Sequence, residues 1–152
     1  MLAKAGAVIA TMLVVVAVGV GVASWHRNIQ HALSVEAALV MNSGDVKPAA
    51  RQDLYLLDID IERFFRETQP DADYDRPDVL TSRSFNNHVV TTSTTDFAGN
   101  ATLKAKPGSY WLYAQGHIAN NYVIWNVPAD LRENSKIVLD NSSARLIRHE
   151  RP

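Results

Sequence analysis

An uninterrupted apolar run near the amino terminus constrains this chain most. Residues Ala5 to Ala23 carry no charge, and Thr11 is the only residue with a hydroxyl group among them. As a helix, the run extends about 28 Å, close to the ~30 Å hydrocarbon core of a bilayer. It therefore predicts a single transmembrane helix within an anchor region of residues 1–25.

A secretory signal peptide is the alternative interpretation of the same run. Signal peptides have a shorter apolar stretch and end at small residues, such as Ala23 and Ser24 in this chain. The length of the run, and the presence of Trp25 where a membrane interface would lie, favour an uncleaved anchor. The short tail ahead of the helix favours an inside amino terminus, which leaves the rest of the chain extracytoplasmic, and periplasmic in a bacterium.

Small residues recur along the predicted helix at Ala17, Gly19, Gly21 and Ala23. Small side chains four residues apart allow two membrane helices to approach closely. Because glycine and alanine are common in membrane helices generally, self-association and ordinary composition both explain the pattern.

The rest of the 152-residue chain is long enough for one domain with its own core. The formal net charge is −1, so the chain lacks the basic field that drives binding to nucleic acid. Cysteine is absent, which excludes disulfides and thiolate metal sites. Composition therefore indicates one ordinary globular unit without a nucleic-acid partner.

Short β-branched or alternating segments separated by turn residues follow a connector at residues 26–34. They predict about seven strands in an antiparallel β-sandwich over 35–147, followed by a tail at 148–152. One segment, Asp58 to Thr68, has helical spacing behind an aspartate that can cap it, and predicts a short inserted helix. The expected strands are 35–40, 53–57, 88–95, 101–105, 110–116, 122–127 and 136–139.

Two consecutive turns carry a resemblance to a known family. The run from Thr94 to Leu103 (TTDFAGNATL), followed by KPGSYWL from Lys106 to Leu112, is similar to the core pattern of carboxypeptidase regulatory-like domains. The resemblance implies a transthyretin-like sandwich of seven strands and an accessory module without catalytic residues. The turn residues themselves are Asp96 and Gly99, expected between antiparallel strands, and Pro107 and Gly108, with the glycine free to adopt a positive φ.

An aromatic cluster is the candidate binding site. If the 110–116 and 122–127 hairpin closes symmetrically, Tyr113 lies opposite Trp125, and Trp111 shares the face of Tyr113. The sequence then predicts an outer strip of Trp111, Tyr113 and Trp125 that suits a sugar ring or a protein partner. Coverage of the strip by the inserted helix or by another part of the same chain is the competing interpretation. The residues expected on the opposite, core-facing side are Tyr110, Leu112, Tyr122 and Ile124.

Patterns for metal binding and catalysis are weak. The alternating acids Asp58, Asp60 and Glu62 lack the spacing of a calcium loop and fit the start of a helix better. The five histidines show no metal-ligand spacing, and the sequence has no nucleophile-elbow or phosphate-loop motif. We therefore expect no cofactor, no metal site and no enzymatic activity.

These observations favour a membrane-anchored accessory module that presents its sandwich to a protein partner of an envelope assembly. The alternative is a carbohydrate- or small-ligand-binding module that uses the aromatic strip. The two differ in surface shape, because a protein partner suits a flat face, whereas a sugar site needs a groove with polar side chains beside the rings.

The anchor generates a direct prediction. The full chain should remain with membranes during alkaline carbonate extraction, because about 19 apolar residues are enough to span a bilayer. A mature chain that begins near Trp25 would show instead that the run is a cleaved signal.

Overall fold

Alternation of apolar and polar side chains builds the first strand. In the computed structural model, which describes residues 29–70 and 82–149, Leu33, Val35 and Ala37 are buried, and the intervening Ser34 and Glu36 are exposed. The described residues form nine strands and two helices. These are β1 (His31–Val40), β2 (Val46–Pro48), β3 (Asp53–Leu57), α1 (Ile61–Thr68), α2 (Arg83–Asn86), β4 (Val89–Thr94), β5 (Asn100–Ala105), β6 (Ser109–Ile118), β7 (Asn121–Asp130), β8 (Ser135–Leu139) and β9 (Ala144–His149).

The strands form two sheets. In the four-stranded sheet, β1 pairs with β2 and β5 in antiparallel orientation and with β8 in parallel orientation. The five-stranded sheet has the order β4-β3-β6-β7-β9 and is antiparallel throughout. The predicted all-β sandwich is therefore confirmed, but its β1–β8 pair is parallel.

The main core lies between the sheets. Leu33 and Leu39 from β1 pack there with Leu54, Leu112 and Trp125 from the facing sheet. The Trp125 indole is fully buried, and its Nε1–H donates to the Asp140 carbonyl over 2.9 Å. This bond satisfies the one polar atom that the ring brings into the core.

A second apolar cluster covers the opposite face of the five-stranded sheet. Ile61 and Phe65 of α1 and Phe85 of α2 pack onto Tyr113 and Ile124 of the sheet. The predicted inserted helix is confirmed, with Asp60 as its cap, since the Asp60 carboxylate accepts the backbone N–H groups of Glu62 and Arg63. The two helices thus shield a sheet face that would otherwise be exposed.

The predicted bounds of the sandwich differ from the observed ones. Strand β1 begins at His31, within the predicted connector, and β9 continues to His149, beyond the predicted end at 147. Nine strands replace the expected seven because the three-residue β2 and the terminal β9 both pair within the sheets. Short or charged edge strands of this kind carry little sequence signal.

The turn at Asp96 and Gly99 connects the two sheets. We predicted it between antiparallel neighbours, but β4 and β5 belong to different sheets. Asp96 accepts the N–H groups of Ala98 and Asn100, both over 2.9 Å, and Gly99 has a φ of +82°. A Cβ on Gly99 would collide with the Ala37 carbonyl oxygen, so glycine is required for space as well as for conformation.

The turn at Pro107 and Gly108 connects β5 to β6. The expectation that Gly108 adopts a positive φ is wrong, because among the described glycines only Gly44 and Gly99 do so. Instead, the Gly108 carbonyl accepts the N–H of Leu131 over 2.8 Å. A Cβ at this position would press on the Tyr110 ring at 3.2 Å.

The chain divides into two units, Met1–Gln30 and His31–Pro152, and the sandwich belongs to the second unit. The predicted anchor, with its small residues Ala17, Gly19, Gly21 and Ala23, lies outside the described residues. Within residues 29–70 and 82–149, neither helix is long and apolar enough to cross a membrane.

The two glycines with positive φ provide a matched pair of variants. Gly44→Ala should cost about 1 kcal/mol of unfolding free energy, because nothing lies within 4 Å of a new Cβ and only the backbone conformation opposes it. Gly99→Ala should cost at least about 2 kcal/mol more, since it adds the collision with Ala37. Urea denaturation of the full chain measures both, and equal losses would contradict the packing of this turn against β1.

Candidate functional site

The register of the β6–β7 hairpin decides where its aromatic side chains lie. Ile118 pairs with Asn121, so the connection contains only Ala119 and Asn120, and Ala119 has a φ of +53°. Ala114 therefore lies opposite Trp125, one residue away from the predicted pairing of Tyr113 with Trp125. Because side chains alternate along a strand, a register shift of one residue places the side chains of β7 on the opposite face of the sheet from the one predicted relative to β6.

The predicted aromatic strip of Trp111, Tyr113 and Trp125 is consequently wrong. Trp125 faces the core between the sheets, whereas Trp111 and Tyr113 lie on the face that the helices cover. The shift also moves Tyr122 and Ile124 to the helix-covered face, although we expected both in the main core. Tyr110 and Leu112 do pack on the main core, as predicted.

Tyr113 is closed to any ligand. It is 1% exposed, and the Phe85 ring meets it edge-on with 5.5 Å between the ring centroids. Tyr55 in turn contacts Phe85 at 5.2 Å. The Tyr113 hydroxyl donates to Gln115 Oε1 over 2.7 Å within the same buried region. The competing interpretation, coverage by the chain's own helices, therefore holds for this residue.

Trp111 lies at the margin of the helical cover and remains half-buried. Beside it runs a shallow groove of about 370 Å³. The groove combines two aromatic rings with charged side chains, and we call it the Trp111 groove. Its lining residues are Ile59, Asp60, Arg63, Phe64, Glu67 and Trp111.

Helix α1 supplies most of the groove. Arg63, Phe64 and Glu67 fall on one side of the helix, and Arg63 Nε contacts Glu67 Oε1 at 2.8 Å, four residues along. Both of these side chains are largely exposed, so the pair contributes little to stability and is available to a ligand. Phe64 also contacts the His88 ring, with 5.1 Å between the ring centroids.

A partly buried polar cluster joins α1 to the sheet beside the groove. Glu62 forms an ion pair with Arg145, and the Glu62 side chain is only 12% exposed. Asn126 of β7 donates to Asp60 Oδ1 over 2.8 Å. Burial raises the pKa of Glu62, and the Arg145 guanidinium opposes that rise. These contacts set the position of the first turn of α1 relative to Trp111.

Arg145 reaches Glu62 because of a bulge. The pairing of β7 with β9 shifts between Ile124 and Trp125, which pair with Leu146 and Ala144 and leave Arg145 as the extra residue. A bulge of this kind redirects one side chain without ending the strand. Nothing in the local sequence signals it.

The alternating acids have separate structural roles. Asp58 Oδ1 lies within hydrogen-bond distance of His88 Nδ1, at 2.9 Å. Asp60 caps α1, and Glu62 forms an ion pair with Arg145. Within the described parts of the chain, no three His, Asp or Glu side chains are grouped so that they could hold a metal ion. The helix-start interpretation of these residues is thus confirmed at Asp60.

The sequence pattern predicted Trp111 in the candidate site but did not indicate which residues lie beside it. Arg63, Phe64 and Glu67 lie within the helix predicted at 58–68. The helical spacing was visible in the sequence, but only the docking of α1 next to β6 brings these three side chains to Trp111. The other predicted residues, Asp96, Gly99, Pro107 and Gly108, remain turn residues.

The similarity of this chain to known proteins is a similarity of fold. No protein-family model matches the chain, and no curated protein does either. Among solved structures, it is similar to a Pseudomonas aeruginosa protein described as a "putative carbohydrate binding protein", with a TM-score of 0.51 and 12% identity over 74% of this chain and 88% of that one. The shaft pilin SpaA of Lactobacillus rhamnosus GG (D295N mutant) gives a TM-score of 0.47 and 10% identity. That alignment covers 81% of this chain and about half (52%) of the pilin.

Proposed function

We propose that the sandwich is a non-catalytic binding module and that the Trp111 groove holds its ligand. The observation that carries this proposal is the placement of a half-buried indole and the Phe64 ring beside Asp60, Arg63 and Glu67 in one groove. Apolar surface with a few convergent polar groups is the usual composition of a ligand site.

The ligand that fits this chemistry best is a saccharide. The C–H face of a sugar ring packs on an aromatic ring, and its hydroxyls accept from a guanidinium and donate to carboxylates. A groove with polar side chains beside the rings is the shape that distinguishes a sugar site from a flat protein interface. The description of the Pseudomonas protein with a similar fold is consistent with this ligand class.

A protein partner is the second candidate, and exposed valines favour it. On the outer face of the four-stranded sheet, Val40 lies directly opposite Val46, and Val138 projects from β8 on the other side of β1. Each is at least half exposed. The exposed Val40 and Val46 pair is an apolar contact point that would suit an envelope-assembly partner. Either ligand would be met on the extracytoplasmic side if residues 5–23 anchor the chain.

Removal of the Trp111 indole tests the groove. Trp111→Ala should weaken saccharide binding about 30-fold (about 2 kcal/mol), as for other aromatic anchors, while Trp111→Phe retains most of it. The full chain in detergent is assayed on an array of immobilised oligosaccharides. Phe97→Ala is the control, because Phe97 is 74% exposed and does not line the groove.

Two results would contradict the proposal. One is an unchanged affinity for the selected oligosaccharide in folded Trp111→Ala. The other is a full chain that binds no oligosaccharide on the array, which would leave the protein-partner candidate.

A further inference from the structure

The charges that line the Trp111 groove are unequal. The carboxylates of Asp60 and Glu67 lie there with a single guanidinium, that of Arg63. Two negative charges thus face one positive charge. The way in which these three groups are paired determines which charge a bound saccharide can carry.

The positive charge of the groove is already matched. Arg63 Nε contacts Glu67 Oε1 at 2.8 Å. The hydrogen bond to Glu67 and its charge, followed by the charge of Asp60, raise the pKa of Arg63. A carboxylate on the ligand would have to displace Glu67 from the guanidinium and would also meet the charge of Asp60. The groove therefore opposes an acidic saccharide.

Asp60 supplies the negative charge that is not matched. Its Oδ1 accepts the backbone N–H groups of Glu62 and Arg63 and the amide of Asn126, which are all neutral donors. Within residues 29–70 and 82–149, no cationic side chain forms an ion pair with Asp60. The partial positive charge at the start of α1 offsets only part of the carboxylate charge. A cation on the ligand would offset the rest.

The two aromatic rings favour the same ligand charge. Trp111 and Phe64 are both half-buried and line the same groove. The face of an aromatic ring attracts a cation, most strongly in the case of an indole. The same face also packs on the C–H groups of a sugar ring. A sugar ring that carries an ammonium group would thus match both the rings and the excess of carboxylates.

We infer that the saccharide of the Trp111 groove contains an amino sugar, a hexose unit in which an ammonium group replaces one hydroxyl. The sugar ring packs on Trp111, and its ammonium lies on the side of the groove that carries Asp60 and Glu67. The remaining hydroxyls are available to Arg63. This inference rests on the proposed function, because it names the class of saccharide that the same groove binds.

Two β-1,4-linked tetrasaccharides with the same backbone and different charge test the inference. One consists of glucosamine and the other of N-acetylglucosamine. Isothermal titration calorimetry measures their binding to the full chain in detergent at about pH 6, where amines are protonated and carboxylates ionised. The glucosamine tetrasaccharide should bind at least about fivefold more tightly, as expected for exposed charge contacts. Added salt should reduce this preference, because it screens exposed charges.

Variants of α1 that change its charge give opposite expectations. Glu67→Gln should remove most of the preference for glucosamine, because it deletes one carboxylate and leaves Arg63 to repel the ammonium. Arg63→Gln should increase the preference about threefold, since it deletes the competing cation. Arg66→Gln is the matched control, because it makes the same change of net charge at a residue that does not line the groove. It should leave the preference unchanged.

The possible failures separate this inference from the proposed function. Equal binding of the two tetrasaccharides, with both weakened by Trp111→Ala, would overturn the inference and leave the groove as a saccharide site. A preference that Glu67→Gln and Arg63→Gln do not change in opposite directions would also overturn it. So would tetralysine that binds as tightly as the glucosamine tetrasaccharide, because the ammonium would then be recognised without a sugar ring. A full chain that binds no oligosaccharide would contradict the inference and the proposed function together.

Discussion

The pairing of Ala114 with Trp125 determines which face of the five-stranded sheet each side chain of the β6–β7 hairpin occupies. It places the largest side chain of the described core, Trp125, between the sheets, where its indole N–H reaches the Asp140 carbonyl. The same register assigns Trp111, Tyr113, Tyr122 and Ile124 to the other face. A face this apolar must be covered, and α1 and α2 cover it. The groove exists because that cover ends beside Trp111.

The attachment of α1 combines apolar packing with one partly buried ion pair. Ile61 and Phe65 provide the apolar contact, which alone would allow the helix to slide or rotate. The ion pair of Glu62 with Arg145 and the hydrogen bond of Asn126 to Asp60 add directional contacts between the start of α1 and the sheet. These contacts together place Arg63, Phe64 and Glu67 beside the indole.

Local chemistry made much of the fold predictable. Strand β3 was predicted at its observed bounds, and the aspartate ahead of Ile61 correctly signalled a helix start. The Asp96–Gly99 turn was also located, since its aspartate and glycine have specific backbone roles. The turn could not, however, reveal that it joins two sheets, because strand partners far apart in sequence leave no local pattern. The resemblance to carboxypeptidase regulatory-like domains remains a prediction.

The candidate site was less predictable because it depends on a register of one residue. A hairpin closed by Ala119 and Asn120 lacks the Asn-Gly or Gly signal that usually identifies a two-residue turn, so symmetric closure around 117–121 gave the wrong face for Trp125. The bulge at Arg145 and the parallel pairing of β1 with β8 likewise leave no recognisable pattern in the sequence. Two of the three predicted aromatics were thus core residues, and only Trp111 reaches a surface groove.

Hydrogen exchange of the tryptophan indole N–H groups tests this register most directly. In the full chain, variants that replace each of Trp25, Trp111 and Trp125 by Phe assign the three indole signals in NMR spectra. The Trp125 indole N–H, buried and bonded to the Asp140 carbonyl, should exchange orders of magnitude more slowly than the indole N–H of Trp111. Exchange at Trp125 as fast as at Trp111 would contradict the register and, with it, the position of the groove.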